Sequence, residues 1–148
     1  MKYRVTKTYG NERGLSCAFR QWRADSHCNL IHGYSLGFRF VFEAAQLDDR
    51  NWVYDFGNLG FVKEFLEDNF DHILMIASDD PKRAELYNLN REGIASVREL
   101  PVVGCEAFAE YVYSYVNQEI MEETEGRVSV VSVECFEHGA NSALFGNF

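Results

Sequence analysis

The stretch that most constrains the fold is Tyr34-Ser35-Leu36-Gly37-Phe38-Arg39-Phe40-Val41-Phe42-Glu43. Successive side chains of an extended strand point to opposite faces, so Tyr34, Leu36, Phe38, Phe40 and Phe42 share one face. Ser35, Gly37, Arg39 and Glu43 lie on the other. Such a strand sets an aromatic wall against a core and a polar surface opposite it.

Weaker signals place the other elements around this strand. Residues 2–9 alternate weakly, and residues 14–20 either continue them or begin the next strand. Asp48-Asp49-Arg50-Asn51 is expected to turn, and Trp52-Val53-Tyr54-Asp55-Phe56 to form a short extended piece. Asn58 is placed as the N-cap of a helix reaching about Phe70, with Phe61, Phe65 and Leu66 on one face. A loop-rich region covers about 77–103 and holds both prolines, Pro81 and Pro101. A second helix is expected from about Cys105 to Met121, with Phe108, Ala109, Val112, Tyr115 and Val116 as its inner stripe. Gly126 closes the link, and residues 127–138 form a last strand. The order is strand, strand, helix, helix, strand, with room for a fourth strand at one end. Strands grouped apart from helices indicate an α+β domain with an antiparallel sheet, one domain over residues 1–148.

Composition then narrows the functions. The chain has 148 residues and is 47% hydrophobic, long and apolar enough to bury a core. Its formal charge of −9 and lack of a Lys/Arg cluster argue against a nucleic-acid partner. No run approaches the roughly 18 apolar residues of a membrane span. Met1-Lys2-Tyr3-Arg4 does not lead into a signal-peptide core, so a cytoplasmic location is expected. Without an export signal or a CxxC pair, Cys17, Cys28, Cys105 and Cys135 are expected to be reduced thiols.

Several residues carry candidate chemistry. Cys28 lies in Ser26-His27-Cys28-Asn29-Leu30-Ile31-His32-Gly33-Tyr34, just before the strong strand. It is either a thiolate base or nucleophile activated by a nearby imidazole, or an ordinary loop cysteine. Asp71-His72 follows the first helix. The carboxylate can fix the imidazole's tautomer and raise its basicity, although a helix C-terminus favours a histidine for electrostatic reasons alone. Glu137 is placed on one face of the last strand with Val131, Val133 and Cys135, where burial of an unpartnered carboxylate is costly. Either a ligand's N–H groups satisfy it there, or the strand has ended and it is solvated. The four histidines form no HxH or HExxH pair, so spacing gives little sign of a metal.

In this order the segments resemble the 6-pyruvoyl and 6-carboxytetrahydropterin synthases over nearly the whole chain. Cys28-Asn29-Leu30-Ile31-His32-Gly33-Tyr34 stands at that family's CxxxHGH loop, and Asp55-Phe56 at its DF segment. Phe70-Asp71-His72 stands at its LDH motif, Gly104-Cys105-Glu106-Ala107-Phe108-Ala109 at its second helix start, and Val133-Glu134-Cys135-Phe136-Glu137-His138 at its last strand. The resemblance implies the tunnelling fold: a four-stranded antiparallel sheet with two helices packed on one face. It implies subunits joined through their sheets into trimeric barrels, two of which form a homohexamer. It also implies a small-molecule pterin substrate, dihydroneopterin triphosphate, whose triphosphate is eliminated. The 6-carboxy branch cleaves the side chain as well, releasing acetaldehyde on the path to queuosine. On this pattern Cys28, Asp71 and His72 are catalytic, while Glu137 anchors the pterin ring and Glu106 is a second pocket acid.

The chain departs from that pattern at the zinc site. The family holds zinc through three histidines, the last residue of FxAAH and both of HGH. Here Leu15-Ser16-Cys17-Ala18-Phe19 puts Phe19 at the first, and Tyr34 replaces the third; only His32 remains. One imidazole does not hold zinc. A relocated site would draw on Cys17, His27 or His138. Otherwise the site is metal-free, with His32 and Tyr34 binding the substrate side chain directly, or it has lost catalysis. The segment Ile76 to Leu100 is longer than the pattern needs and is read as a lid, an interface element or a surface insertion. Two further readings stand beside an enzyme: a non-catalytic oligomer that binds a pterin or purine, and a structural oligomer without a ligand.

Overall fold

A computed structural model describes residues Met1–Phe148. The aromatic strand is longer than its alternation alone marks, His32–Ala44 (β3). Leu36, Phe38, Phe40 and Phe42 on its expected inner face are all fully buried. Tyr3–Tyr9 (β1) and Leu15–Phe19 (β2) both pair antiparallel with it, β1 along Phe38–Ala44 and β2 along His32–Leu36. They are one strand interrupted by a 3-10 turn at Asn11–Arg13, whose exit Gly14 takes a left-handed φ of 75°. So residues 14–20 continue the first strand rather than begin another. On the other side of β3 lies Val128–His138 (β6), followed across a two-residue turn by Asn141–Gly146 (β7). β7 is the fourth strand for which the sequence left room.

The antiparallel four-stranded sheet and two helices are thus present: Gly60–Phe70 (α1) and Cys105–Glu123 (α3) bury Val62, Leu66, Phe70, Phe108, Val112 and Val116 against the Phe38–Phe42 face. α1 starts one residue later than expected, with Leu59 at the N-cap position. Asn58 is not its N-cap; it ends a 3-10 turn, Phe56–Asn58, capped by the Asp55 side chain. Trp52–Phe56 is not extended either. The Asp48 carboxylate accepts from the N–H groups of Arg50 and Trp52 and folds the segment into a loop, while the Arg127 guanidinium holds the carbonyls of Gln46 and Val53.

The largest correction concerns 77–103, which is not loop-rich. Ile73–Ala77 (β4) pairs parallel with β2, Val97–Leu100 (β5) pairs parallel with β4, and Arg83–Arg91 (α2) crosses between them. Counting the two halves of the broken strand separately, the sheet has seven strands. All five residues of β4 are buried, as in a strand covered on both faces. Ile73, Met75 and Ala77 join the main core, whereas Leu74 and Ile76 face Leu86 of α2 in a second small core. Parallel neighbours need a crossover, and α2 supplies it. No helix is long and apolar enough to cross a membrane.

Candidate active site

The register of β2 on β3 sets Phe19 opposite His32 and Cys17 opposite Tyr34. The rings of Phe19, His32 and Tyr34 converge, with centroids 5.2 Å (Phe19–His32), 5.5 Å (His32–Tyr34) and 6.1 Å (Phe19–Tyr34) apart. Phe108 closes the cluster from α3, edge-on to Phe19 at 5.3 Å. The Nδ1 of His32 lies 2.8 Å from the Leu30 carbonyl, which can only accept. Nδ1 therefore carries the proton, and Nε2 of the neutral ring is left as an acceptor.

Cys28 sits half-buried in a 3-10 turn, His27–Asn29. Ser26 Oγ accepts from the Cys28 N–H at 3.3 Å, and the Cys28 carbonyl accepts from the Gln21 N–H at 2.9 Å. The Tyr34 phenol, whose ring stands 6.2 Å from that of His138, lies within electrostatic reach of the thiol. Burial first, then the charges of Glu137 and Cys28, push its pKa above the ordinary value, so it stays a protonated donor. Tyr34 thus lies within electrostatic reach of both Cys28 and Glu137, where β3 begins and β6 ends.

Glu137 reaches that position through a register irregularity. Phe136 pairs with Ser142 and His138 with Asn141, leaving Glu137 as the extra residue of a bulge that re-aims its side chain. A second irregularity, near Val131, means that Val133 and Cys135, not Val131, continue the face packed on Phe40 and Phe38. Sequence reading missed Asn11, whose Nδ2 donates to the carbonyls of Ser35 (2.6 Å), Phe136 (3.2 Å) and Glu137 (3.3 Å) and so fixes the bulge. Its signal was weak: an Asn beside Gly10, in the interruption between β1 and β2. Glu106 lies exposed in the first turn of α3, where a carboxylate suits the helix N-terminus. It is not in contact with Glu137 through any hydrogen bond or ion pair.

Asp71 and His72 form the expected pair, Nδ1 to Oδ1 at 2.8 Å, with the imidazole largely exposed. His72 takes a left-handed φ of 58° just past α1, a conformation tolerated by histidine better than by most residues. Its N–H donates to the Ser16 carbonyl at 2.7 Å, and Asp71 Oδ1 accepts from the Ser16 N–H at 3.4 Å. The pair is thus anchored at Ser16 and the Cys28 turn at Gln21. Within one chain no hydrogen bond or ion pair joins the pair to the Cys28 thiol.

The donors present do not fit zinc. Phe19 cannot ligate, Tyr34 is held protonated, and nowhere do three His, Cys, Asp or Glu side chains gather closely enough to hold a metal ion. The candidate relocated ligands Cys17, His27 and His138 do not gather into a metal-holding group either. Cys17 is buried among Cys105 and Cys135, and burial pushes its pKa up to about 12. His27 is exposed on the Cys28 turn. The His138 ring stands 6.2 Å from Tyr34, but its Nδ1 accepts from the Ala140 N–H in the β6–β7 turn.

Of two hollows, one is remote from the candidate groups and one lies beside the Cys28 turn. A cavity of about 460 Å³ is lined by Tyr3, Val5, Leu47, Trp52, Tyr54 and Phe56, beside the free edge of β1. Another of about 420 Å³ adjoins the Cys28 turn at Asn29, Leu30 and Ile31. The first is the better formed, yet none of the candidate chemical groups borders it.

Comparison with known proteins agrees with the fold and the motif order. Residues 9–147 match the family model described as 6-pyruvoyl tetrahydropterin synthase. The 6-carboxy-5,6,7,8-tetrahydropterin synthase of Aquifex aeolicus (strain VF5) is 25% identical over 160 aligned positions, covering 98% of each chain. Among solved structures, an uncharacterized protein of Wolinella succinogenes superposes with a TM-score of 0.84 at 20% identity, covering 100% of this chain and 99% of that one. The 6-pyruvoyl tetrahydropterin synthase of Plasmodium falciparum gives 0.70 at 14% identity, covering 97% and 96%. With a family model matched across nearly its entire length, the chain belongs to the 6-pyruvoyl tetrahydropterin synthase family.

Proposed function

We propose that this protein is an enzyme similar to 6-carboxytetrahydropterin synthase, acting on dihydroneopterin triphosphate or a close dihydropterin. The observation that carries this reading is that Tyr34 lies within electrostatic reach of both Cys28 and Glu137 at one end of the sheet. Glu137 accepts hydrogen bonds from the N–H groups of the pterin ring, a charge-assisted arrangement, with Glu106 as a second acid at the pocket rim. Cys28 moves a proton at the substrate side chain. Tyr34 donates to a side-chain hydroxyl oxygen, and His32 Nε2 accepts from one. With no bond from Asp71 or His72 to Cys28 in one chain, the pair of one copy acts on the thiol of another. That requirement fits a barrel-forming homo-oligomer, and a hexamer of two trimers is the proposed state.

The test is consumption of dihydroneopterin triphosphate by purified protein. Cys28→Ala is expected to abolish turnover, and Glu137→Gln to weaken pterin binding by about 10- to 100-fold, the value of one charged hydrogen bond. Mixing Cys28→Ala with His72→Ala chains, unfolded and refolded together, is expected to restore part of the activity through complementary sites. Unchanged turnover in Cys28→Ala would remove that residue's role. A second reading, a pterin- or purine-binding module without chemistry, is favoured by Phe19 and Tyr34 at two zinc-ligand positions. Calorimetry that finds pterin binding without turnover, with or without added zinc, would establish it.

A further inference from the structure

We infer that the ion pair Arg20–Asp80 positions the Cys28 turn, and that the β4–α2–β5 insertion is the element that holds this turn in place. The inference rests on the reading of Cys28 as the thiol of the pterin site. It starts from a segment, 20–29, that has little regular structure of its own yet is fastened at several points. Arg20 follows β2 directly. Its Nε and Nη2 donate to Asp80 Oδ2 and Oδ1 at 2.8 and 2.9 Å, a two-point contact, and the Asp80 side chain is only 1% exposed. Its Nη1 donates to the carbonyl of Asn29, the residue after Cys28, at 3.1 Å. One guanidinium therefore bridges the insertion and the turn.

Asp80 is itself held. Its Oδ1 accepts from the Lys82 N–H at 2.8 Å, so the turn leading into α2 fixes the carboxylate that fixes Arg20. The neighbouring Asp79 accepts from Trp22 Nε1 at 3.1 Å and Arg23 Nη2 at 3.0 Å. At the far end of the insertion, Val103 accepts from Gln21 Nε2 at 2.8 Å, and the Gln21 N–H is the donor to the Cys28 carbonyl. Both ends of the insertion thus grip residues 20–23, and two of these residues bond the backbone of the Cys28 turn directly. A buried, paired charge has few alternative arrangements, because a single broken partner leaves the other desolvated. Side chains that hold a reactive group from behind set its geometry to within fractions of an ångström.

The experiment uses the full-length chain and compares wild type with Asp80→Asn and Arg20→Lys, the second keeping the charge but losing the fork and the reach to Asn29. Asp79→Asn is the control, since it leaves Arg20 untouched. Hydrogen exchange is read at the amides of Asn29 and Leu30, which close the turn onto Ser26 and His27, and iodoacetamide alkylation at Cys28 is followed by peptide mass. Both variants are expected to speed exchange of these two amides and alkylation of Cys28 about tenfold, with β3 and β6 amides unchanged. Turnover of dihydroneopterin triphosphate is expected to fall about 10- to 100-fold in kcat with little change in KM, as a displaced catalytic group would produce. Wild-type exchange and alkylation rates in both variants overturn the inference. So does acceleration spread evenly over the whole sheet, which would mark the pair as a general stabiliser. Arg20→Lys decides the question alone if Asp80→Asn does not fold. Absence of turnover in the wild type would count against the pterin reading, while exchange and alkylation would still decide the positioning.

Discussion

Replacing Phe19 and Tyr34 by histidine should create a zinc site where the wild-type chain offers none. Rings bound to tetrahedral zinc through Zn–N bonds of about 2.0–2.1 Å stand about 5 Å apart, centroid to centroid. The rings of Phe19, His32 and Tyr34 are 5.2, 5.5 and 6.1 Å apart, so the three positions need only small rotations. Without metal the double variant is destabilised. Phe19 is 2% exposed and packs edge-on to Phe108. Losing that contact costs about 0.5–1.5 kcal/mol, and burying an imidazole without a partner costs about 1–3 kcal/mol. A net loss of about 2–4 kcal/mol lowers the Tm of a chain this size by about 5–15 °C. Zinc at a thousandfold excess over its Kd returns about 4 kcal/mol and should restore the wild-type Tm. Thermal melts with and without zinc, paired with elemental analysis after gel filtration, read both halves. One zinc per chain in the wild type, or none in a folded double variant, refutes the reasoning.

Three other outcomes follow from the structure. Phe40→Ala should cost about 3–5 kcal/mol in chemical denaturation, because Phe40 is fully buried between Phe42 and Tyr9; a loss under 1 kcal/mol would mean the β3 wall is not the core. Asp80 has its pKa lowered chiefly by the Arg20 hydrogen bond, so folding favours its ionised form. That stabilisation is complete above the unfolded value of about 3.9 and fades as the pH falls through the lower native value. Asp80→Asn should be less stable than wild type at pH 7, and the gap should narrow below about pH 4; a gap independent of pH would deny the ionic role. Tyr34→Phe should lower kcat about 10- to 100-fold if the phenol donates to substrate, the worth of a hydrogen bond to a developing charge, whereas a Tyr34 that only packs would leave kcat unchanged.

Legibility in the sequence followed burial on one face. β3 and α3 were readable because their apolar positions recur at periods of 2 and 3.6, and the structure buries those positions. β4 was not, because Ile73-Leu74-Met75-Ile76-Ala77 is apolar throughout. A strand covered on both faces has no alternation to detect, and a short apolar run is ambiguous between strand and helix. α2 buries one residue, Leu86, so its amphipathic stripe is thin and the two prolines around it suggested loop. At the candidate site, Cys28, Tyr34 and Glu137 were singled out from residue type and motif order. Their proximity was not readable, since it depends on the Glu137 bulge and on Asn11, both set by register rather than composition.

The replaced ligand positions have a consequence for how the site is built. Three histidines on a metal hold a strand junction through bonds that depend on metal supply and on pH. Phe19, His32, Tyr34 and Phe108 hold the same junction through ring packing, with His32 tied to the Leu30 carbonyl. This arrangement packs the junction but polarises nothing, because a phenyl ring offers no Lewis acidity. On the proposed reading, the polarisation of a substrate hydroxyl must come from hydrogen bonds, and Tyr34 is the protonated donor in place to give one. A hydrogen bond supplies less than a divalent cation, which contributes several kcal/mol of charge stabilisation. Accurate placement of the thiol then matters more, and that is what the Arg20–Asp80 bridge to the Cys28 turn offers. Phe19 and Tyr34 at two zinc-ligand positions and the βαβ unit that grips the Cys28 turn thus both bear on how the site is held.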